Sequence, residues 1–108
     1  MTFHELDCIL HSTGRRSLAG SLVFILADTL DDGADGMDLD AYEQFSGFVR
    51  TNIRSVASAL ERAGVIHIYY YQEPRSGQVR ELHTSNCHAR WAKQHYRLSQ
   101  AVRDLLRR

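Results

Sequence analysis

The first third of the chain carries apolar residues at helical spacing in two stretches. Phe3, Leu6 and Leu10 recur at i, i+3 and i+7, which predicts a short helix over residues 2–11. A broader stripe of leucine and isoleucine predicts a longer helix over residues 17–31. Because this second stripe is wide, we expect the second helix to lie at the centre of the core.

Two further helices are predicted in the middle of the chain. Leucine and aromatic side chains at three-residue spacing favour a short helix that ends near Gly47. Apolar residues from Ile53 to Leu60 follow the i, i+3, i+4, i+7 pattern and favour a stronger helix over 50–63. Gly64 then suits the position just after a helix, where a left-handed backbone is common.

Between residues 65 and 71 the apolar pattern changes to strict alternation. This predicts a β-strand with Ile66, Ile68 and Tyr70 towards the core, while Tyr69 and Tyr71 either pack elsewhere or meet a partner. A turn with proline and glycine and a second strand over 78–83 complete a predicted hairpin.

A last helix is predicted over residues 87–107, which gives the element order α-α-α-α-β-β-α and one mainly helical α+β domain over residues 1–108. The terminal segments 1–14 and 87–108 present more apolar surface than a small domain easily covers, so we expect them to form a homodimer. The expected interface residues are Phe3, Leu6, Leu10, Trp91, Leu98, Val102 and Leu105.

Composition is that of a globular chain, with 44% hydrophobic residues and a single proline in 108 residues. No apolar run approaches the roughly 20 residues that span a bilayer, and the first ten residues lack the basic start of a signal peptide. We therefore expect a cytoplasmic protein. The two cysteines do not indicate a disulfide framework.

The net charge of zero conceals an asymmetry between the two halves. Residues 1–47 hold nine acids and two bases, whereas residues 48–108 hold eleven bases and four acids. Ten of those eleven bases are arginine, whose planar guanidinium suits bidentate hydrogen bonds to phosphates and guanine edges better than the lysine ammonium does. The asymmetry indicates either that one face meets an anion or that the two halves attract each other.

The segment "LDAYEQFSGFVRTNIRSVASALERAGVI" (39–66) resembles the winged helix-turn-helix family of bacterial DNA-binding proteins. Gly47 stands where the family has its turn glycine, with the apolar Phe48 after it. The family's helix-end signature is matched by Leu60, Gly64, Val65 and Ile66. With the hairpin, the resemblance covers residues 39–83 and implies that the hairpin is a DNA-contacting wing.

One position departs from the family pattern, because Val49 stands where a small polar residue is usual and valine cannot cap a helix. The start of the helix is therefore left open, with Thr51 as an alternative cap.

The polar face of the helix over 50–63 has the residue types that contact DNA. Arginine can bond guanine in a bidentate manner, asparagine can do the same with adenine, and serine and threonine can reach phosphates. No acid occurs between residues 44 and 60. The candidate DNA-binding residues are Arg50, Thr51, Asn52, Arg54, Ser55 and Ser58 on the helix and Arg75, Ser76, Gln78 and Arg80 in the hairpin.

The sequence thus predicts a small transcriptional regulator that binds double-stranded DNA as a homodimer on a palindromic operator, without a cofactor. No nucleophile, phosphate-loop or metalloprotease motif is present, so we do not expect an enzyme. An alternative is a protein-interaction module, such as an adaptor or an inhibitor encoded by a mobile element, that uses the acidic segment 28–43.

A metal- or redox-responsive regulator is a further alternative. Its ligands would be histidine nitrogens and cysteine sulfurs, which bind Zn²⁺, but the spacing matches no compact zinc motif. The candidate ligands are His4, Cys8, His11, His83, Cys87 and His88.

Overall fold

A computed structural model describes residues 1–73, 76–77, 79–84 and 92–107. Within these ranges the chain is a mainly helical α+β unit with a small antiparallel sheet. Its elements in chain order are α1 (Phe3–Ser12), α2 (Arg16–Asp31), β1 (Met37–Asp38), α3 (Leu39–Ser46), α4 (Arg50–Arg62), β2 (Ile66–Tyr71), β3 (Lys93–Leu98) and α5 (Gln100–Leu106). None of the helices in the described part of the chain is long and apolar enough to cross a membrane.

The first four helices confirm the helical pattern of the sequence. The side chain of Thr2 caps α1 by accepting a hydrogen bond of 3.1 Å from the backbone N–H of Glu5. Gly47 ends α3 at φ +76°, and Gly64 follows α4 at φ +79°. Both glycines lie in the left-handed region that favours glycine, which explains why each helix ends where it does.

The sheet has the strand order β1-β3-β2, and both pairings are antiparallel. β3 pairs with β2 along its whole length, with Ile66 opposite Leu98 and Tyr71 opposite Lys93. On its other side β3 pairs with β1, where Met37 lies opposite Tyr96. The middle strand of the sheet is therefore the one that comes last in the chain.

The prediction of a single helix over 87–107 is wrong, because Lys93–Leu98 is a strand and the helix within this range covers only Gln100–Leu106. Buried and exposed side chains do not alternate cleanly along β3, since the neighbouring residues His95 and Tyr96 are both buried. Pairing with β2 outweighed the local helical spacing. Ser99 caps the shortened helix by accepting a hydrogen bond from the backbone N–H of Val102.

The prediction of a return strand over 78–83 is also wrong. The partner of β2 is β3, and among the described residues of that segment only His83 forms backbone hydrogen bonds with β2, both of them with Tyr70, at 2.7 and 2.8 Å. The backbone N–H and C=O of Tyr70 both point away from β3, so His83 lies at the opposite edge of β2. Residues 72–92 thus connect β2 to β3.

Two of the three tyrosines of β2 stack against arginine side chains. Tyr70 packs against the core as expected, but Tyr71 on the other face is only 1% exposed. The guanidinium of Arg80 lies 4.2 Å from the Tyr71 ring centre, and that of Arg97 lies 5.2 Å from the ring centre of Tyr69. Cation–π contacts within the chain therefore account for both tyrosines whose role the sequence left open.

The core explains why part of the expected dimer interface is wrong. α2 packs against α4 and β3, and α5 adds its buried side chains to the same core. The candidate interface residues buried within the single chain are Leu6, Leu98, Val102 and Leu105. Phe3 is exposed and Leu10 is half-buried, whereas Trp91 lies outside the described residues. Buried side chains have no surface to offer a second copy.

Candidate nucleic-acid interface

Helix α4 presents one polar face to solvent. Val49 occupies the N-cap position in an extended conformation without a side-chain cap, so Thr51 is not the cap. The backbone N–H groups of Asn52 and Ile53 both donate to the Val49 carbonyl. Ile53 and the other apolar residues of the helix face the core, which leaves Thr51, Arg54 and Ser55 exposed.

The exposed face of α4 continues onto the sheet. Thr51, Arg54, Ser55 and Ser58 line a shallow depression of about 320 Å³ together with Gln94 of β3. We call this set the α4 face. In the described residues it contains no carboxylate, and the guanidinium of Arg54 forms no ion pair there. Four predicted DNA-binding residues therefore share one uncharged or cationic surface.

Gln94 is a member of the α4 face that the sequence did not indicate. The hydroxyl of Tyr96 donates a hydrogen bond of 2.6 Å to the Gln94 side-chain oxygen. Burial raises the pKa of Tyr96, so this hydroxyl keeps its proton and remains a donor. The bond fixes the amide with its nitrogen left to donate. Recognising Gln94 required β3, which the sequence pattern had assigned to a helix.

Arg50 and Asn52 lie outside the α4 face. Arg50 turns to α3, where its guanidinium bonds Asp40 at 2.6 Å and approaches Glu43 at 3.4 Å. The hydrogen bond from Arg50 is the main cause of a lowered pKa at Asp40. Because exposed ion pairs are weak, a phosphate could still replace these carboxylates, but it would have to compete with them.

Asn52 lines a second depression, of about 350 Å³, at the start of α2. Arg15, Arg16 and Ser17 line the same depression, although the guanidinium of Arg16 also bonds Asp7 at 2.7 Å. The sequence pattern did not indicate a DNA contact by these arginines. The available signal was that they are the only two bases among residues 1–47.

Arg80 is held at the base of the connection between β2 and β3. Its guanidinium stacks on Tyr71 and lies 3.1 Å from the carboxylate of Asp38 and 3.8 Å from that of Glu73. The predicted DNA contact by Arg80 thus competes with three contacts inside the chain. Of the other hairpin candidates, Ser76 is exposed, whereas Arg75 and Gln78 lie outside the described residues.

Asp38 is the centre of this cluster. A carboxylate only accepts hydrogen bonds, so Nδ1 of His95 donates to it across 2.6 Å, while Nε2 of His95 accepts from Nε of Arg97. Burial alone would raise the pKa of Asp38. The hydrogen bonds from His95 and Tyr71 and the charge of Arg80 together outweigh burial and hold that pKa below its usual value.

Replacing Asp38 with asparagine is expected to lower the free energy of unfolding by about 1–2 kcal/mol at pH 7. A lowered folded-state pKa stabilises the fold above the unfolded value of 3.8, and this contribution disappears as the pH falls through the folded pKa. Urea denaturation at pH 7 and pH 3 would measure the difference. Asp104→Asn, at an exposed position of α5, is the control. Equal losses for both variants would contradict the role of Asp38.

Ion pairs join the acidic first half of the chain to the basic second half. Besides the contacts of Asp38 and Asp40, the carboxylate of Asp35 bonds Arg103 and lies 3.8 Å from Arg97. Lys93 of β3 lies 3.4 Å from Asp40. Much of the charge asymmetry is therefore neutralised inside the molecule, and the acidic segment 28–43 is not a free acidic surface along its whole length.

The candidate metal ligands do not assemble within the described residues, where no group of three or more histidine, cysteine, aspartate or glutamate side chains could hold an ion. His4 and Cys8 approach to 3.8 Å on α1, and His11 lies 3.7 Å from Asp7. His83 belongs to the bridge with Tyr70. The remaining two candidates, Cys87 and His88, lie outside the described residues.

Comparisons with protein-family models, with curated proteins and with solved structures find no match to this chain.

Proposed function

We propose that this protein is a sequence-specific DNA-binding regulator of the winged helix-turn-helix type and that it acts as a homodimer on a palindromic operator. The observation that carries the proposal is the α4 face, which presents Arg54, hydroxyl groups and the Gln94 amide without a carboxylate. An α-helix fits the major groove, which is about 12 Å wide, and these side chains can reach both base edges and phosphates.

The order of the elements gives further support. α3, the turn at Gly47 and α4 follow one another in the order that the resemblance implies, whereas β2 pairs with β3 and not with a return strand over 78–83. The proposed wing is then the connection 72–92 rather than a tight turn. Arg15 at the start of α2 adds a cation beside Asn52, where a neighbouring phosphate would lie.

The alternative role in protein interaction has less support. It requires an acidic surface over residues 28–43, yet the carboxylates of Asp35, Asp38 and Asp40 are all engaged with bases of the second half. Acidic residues that pair inside the chain are poor mimics of a DNA backbone.

Selection of random double-stranded DNA with the purified protein is the first test, and we expect an enriched palindrome. Polarisation titrations of that site at 50 and 200 mM salt should then show a steep fall in affinity, because each neutralised phosphate adds about −0.9 to the slope of log K against log salt. An absence of any enriched sequence, or affinity independent of salt, would contradict the proposal. A protein partner retained at a 1:1 ratio without DNA would favour the alternative.

A further inference from the structure

An apolar groove of about 240 Å³ lies between α1, α2 and α5. Its walls are unusually exposed for side chains of this size: Phe3 is 59% exposed, Phe24 is 76% exposed and Leu106 is 39% exposed. The remaining lining residues are Leu6, Asp7, Leu10, Arg16, Gly20, Val23 and Ala27. Contiguous exposed apolar surface of this kind marks an interaction site.

Four residues of α2 form a ridge beside the groove at four-residue spacing. They are Arg16, Gly20, Phe24 and Asp28, which form an inclined row because each is displaced by about 40° around the helix from the one before it. The leucines of α2 that face the core are offset from this ridge by two positions, or roughly 200° around the helix. The ridge therefore points away from the core.

The order of residues in this ridge is self-complementary. If two copies of α2 cross in antiparallel orientation, with the two-fold axis between Gly20 and Phe24, each Phe24 meets the Gly20 of the other copy. A side chain at Gly20 would meet nothing within 4 Å, so the position is open to receive the ring. The same axis places Arg16 opposite Asp28, which pairs opposite charges at both ends of the contact.

We propose that a second copy of this chain occupies the groove, with α2 crossing α2 so that Phe24 of each copy fills the gap at Gly20 of the other. An isologous contact needs one patch that is complementary to itself, and ridges at four-residue spacing are the commonest way in which helices interlock. The charges at the ends favour the antiparallel orientation, although Arg16 also bonds Asp7 of its own chain.

The patch can form the apolar centre of a dimer interface. A stable interface buries roughly 800 Å² on each partner, and a phenylalanine contributes about 150–250 Å² when it is fully buried. Phe3, Phe24 and Leu106 supply the apolar centre, and the Asp7–Arg16 pair of α1 and α2 supplies a polar rim.

The dimer assigned here rests on the proposed function in one respect only, which is that a two-fold dimer would match a palindromic operator. α4 packs against the core side of α2, so a contact through the ridge leaves the α4 face open for DNA. The residues of this interface differ from the expected α5 leucine and valine, which are buried within one chain.

Sedimentation equilibrium of the intact chain tests the assignment without DNA. The wild-type protein should dimerise, and Phe24→Ser should weaken the dimer at least about tenfold, since a central aromatic anchor carries much of an interface's affinity. The matched control is Phe45→Ser on α3, which removes a 67% exposed ring outside the groove and should leave the dimer unchanged. A wild-type chain that stays monomeric, or a Phe24→Ser variant that dimerises like wild type, would overturn the assignment.

Gly20→Leu provides a second, independent variant. Leucine favours a helix more than glycine does, so the fold should not weaken, but its side chain fills the gap that Phe24 would enter. We expect dimerisation to fall at least about tenfold, with an unchanged or higher melting temperature. An intact dimer in this variant would overturn the register. A dimer without DNA binding would refute the proposed function and leave this interface standing. A monomer that binds DNA would refute this interface and the homodimeric part of the proposed function, but not DNA binding itself.

Discussion

Replacing Arg54 with alanine is expected to weaken binding to the selected DNA site about 5- to 150-fold, which corresponds to about 1–3 kcal/mol. Arg54 is exposed on the α4 face, and among the described residues its guanidinium forms no ion pair that DNA binding would have to break. Its full charge is therefore available to DNA, in contrast to that of Arg50, which bonds Asp40. Polarisation titrations against the selected site and a scrambled site would measure the loss.

Arg62→Ala is the matched control for this experiment, because it removes the same charge from the same helix. Arg62 is also exposed, but it lies eight residues further along α4, roughly 12 Å from Arg54 and beyond the last residue of the α4 face. We expect it to change affinity less than about twofold. Equal effects of the two variants would mean that DNA senses only net charge, and full binding by Arg54→Ala would remove the main support for a DNA-reading helix.

The dependence of the Arg54→Ala effect on DNA sequence separates two roles. If the guanidinium bonds a guanine edge, the variant should lose affinity mainly for the selected site. If it neutralises a phosphate, both sites should weaken alike and the salt slope should fall by about 0.9. The α4 face allows either role, since Ser55 and Ser58 beside Arg54 can take the phosphate contacts.

The helical part of this fold could be predicted from the sequence because its determinants are local. Each of the first four helices carries its own apolar stripe, and Gly47 and Gly64 end α3 and α4 at positive φ. These signals lie within a few residues of the element that they define. The exposed face of α4 followed directly, since residues that are not in the stripe must face away from the core.

The sheet could not be predicted in the same way, because its determinants are distant in sequence. β1 has two residues, too few for any periodicity, and Asp38 pairs with His95 across 57 positions. The residues of β3 have helical spacing when read alone and become a strand through pairing with β2. Such pairing depends on tertiary context more than on local preference.

The candidate site was predictable in part for the same reason. The exposure of Thr51, Arg54 and Ser55 follows from the helix, but the contribution of Gln94 depends on β3. The ion pair of Arg50 with Asp40 depends on how α3 meets α4, which residue spacing does not reveal. The charge asymmetry of the sequence admitted both a partner and internal attraction, and internal ion pairs account for much of it.

Replacing Gly36 with alanine is expected to lower the free energy of unfolding by about 3–5 kcal/mol, the largest effect among the variants considered. Gly36 has φ +118°, a conformation that residues with a side chain rarely adopt. A methyl group there would overlap the backbone carbonyl oxygen of Tyr96 and lie 2.5 Å from Nε2 of His95. Neither can retreat easily, because Tyr96 is buried in the middle strand and His95 bonds Asp38.

Gly33→Ala is the control, because Gly33 also has a positive φ, of +76°, but an added methyl group there would meet nothing within 4 Å. It should cost only the left-handed strain of about 1–2 kcal/mol. Urea denaturation of both variants, compared at equal m-values, separates strain from overlap. Equal losses would mean that the chain before β1 does not approach β3 so closely.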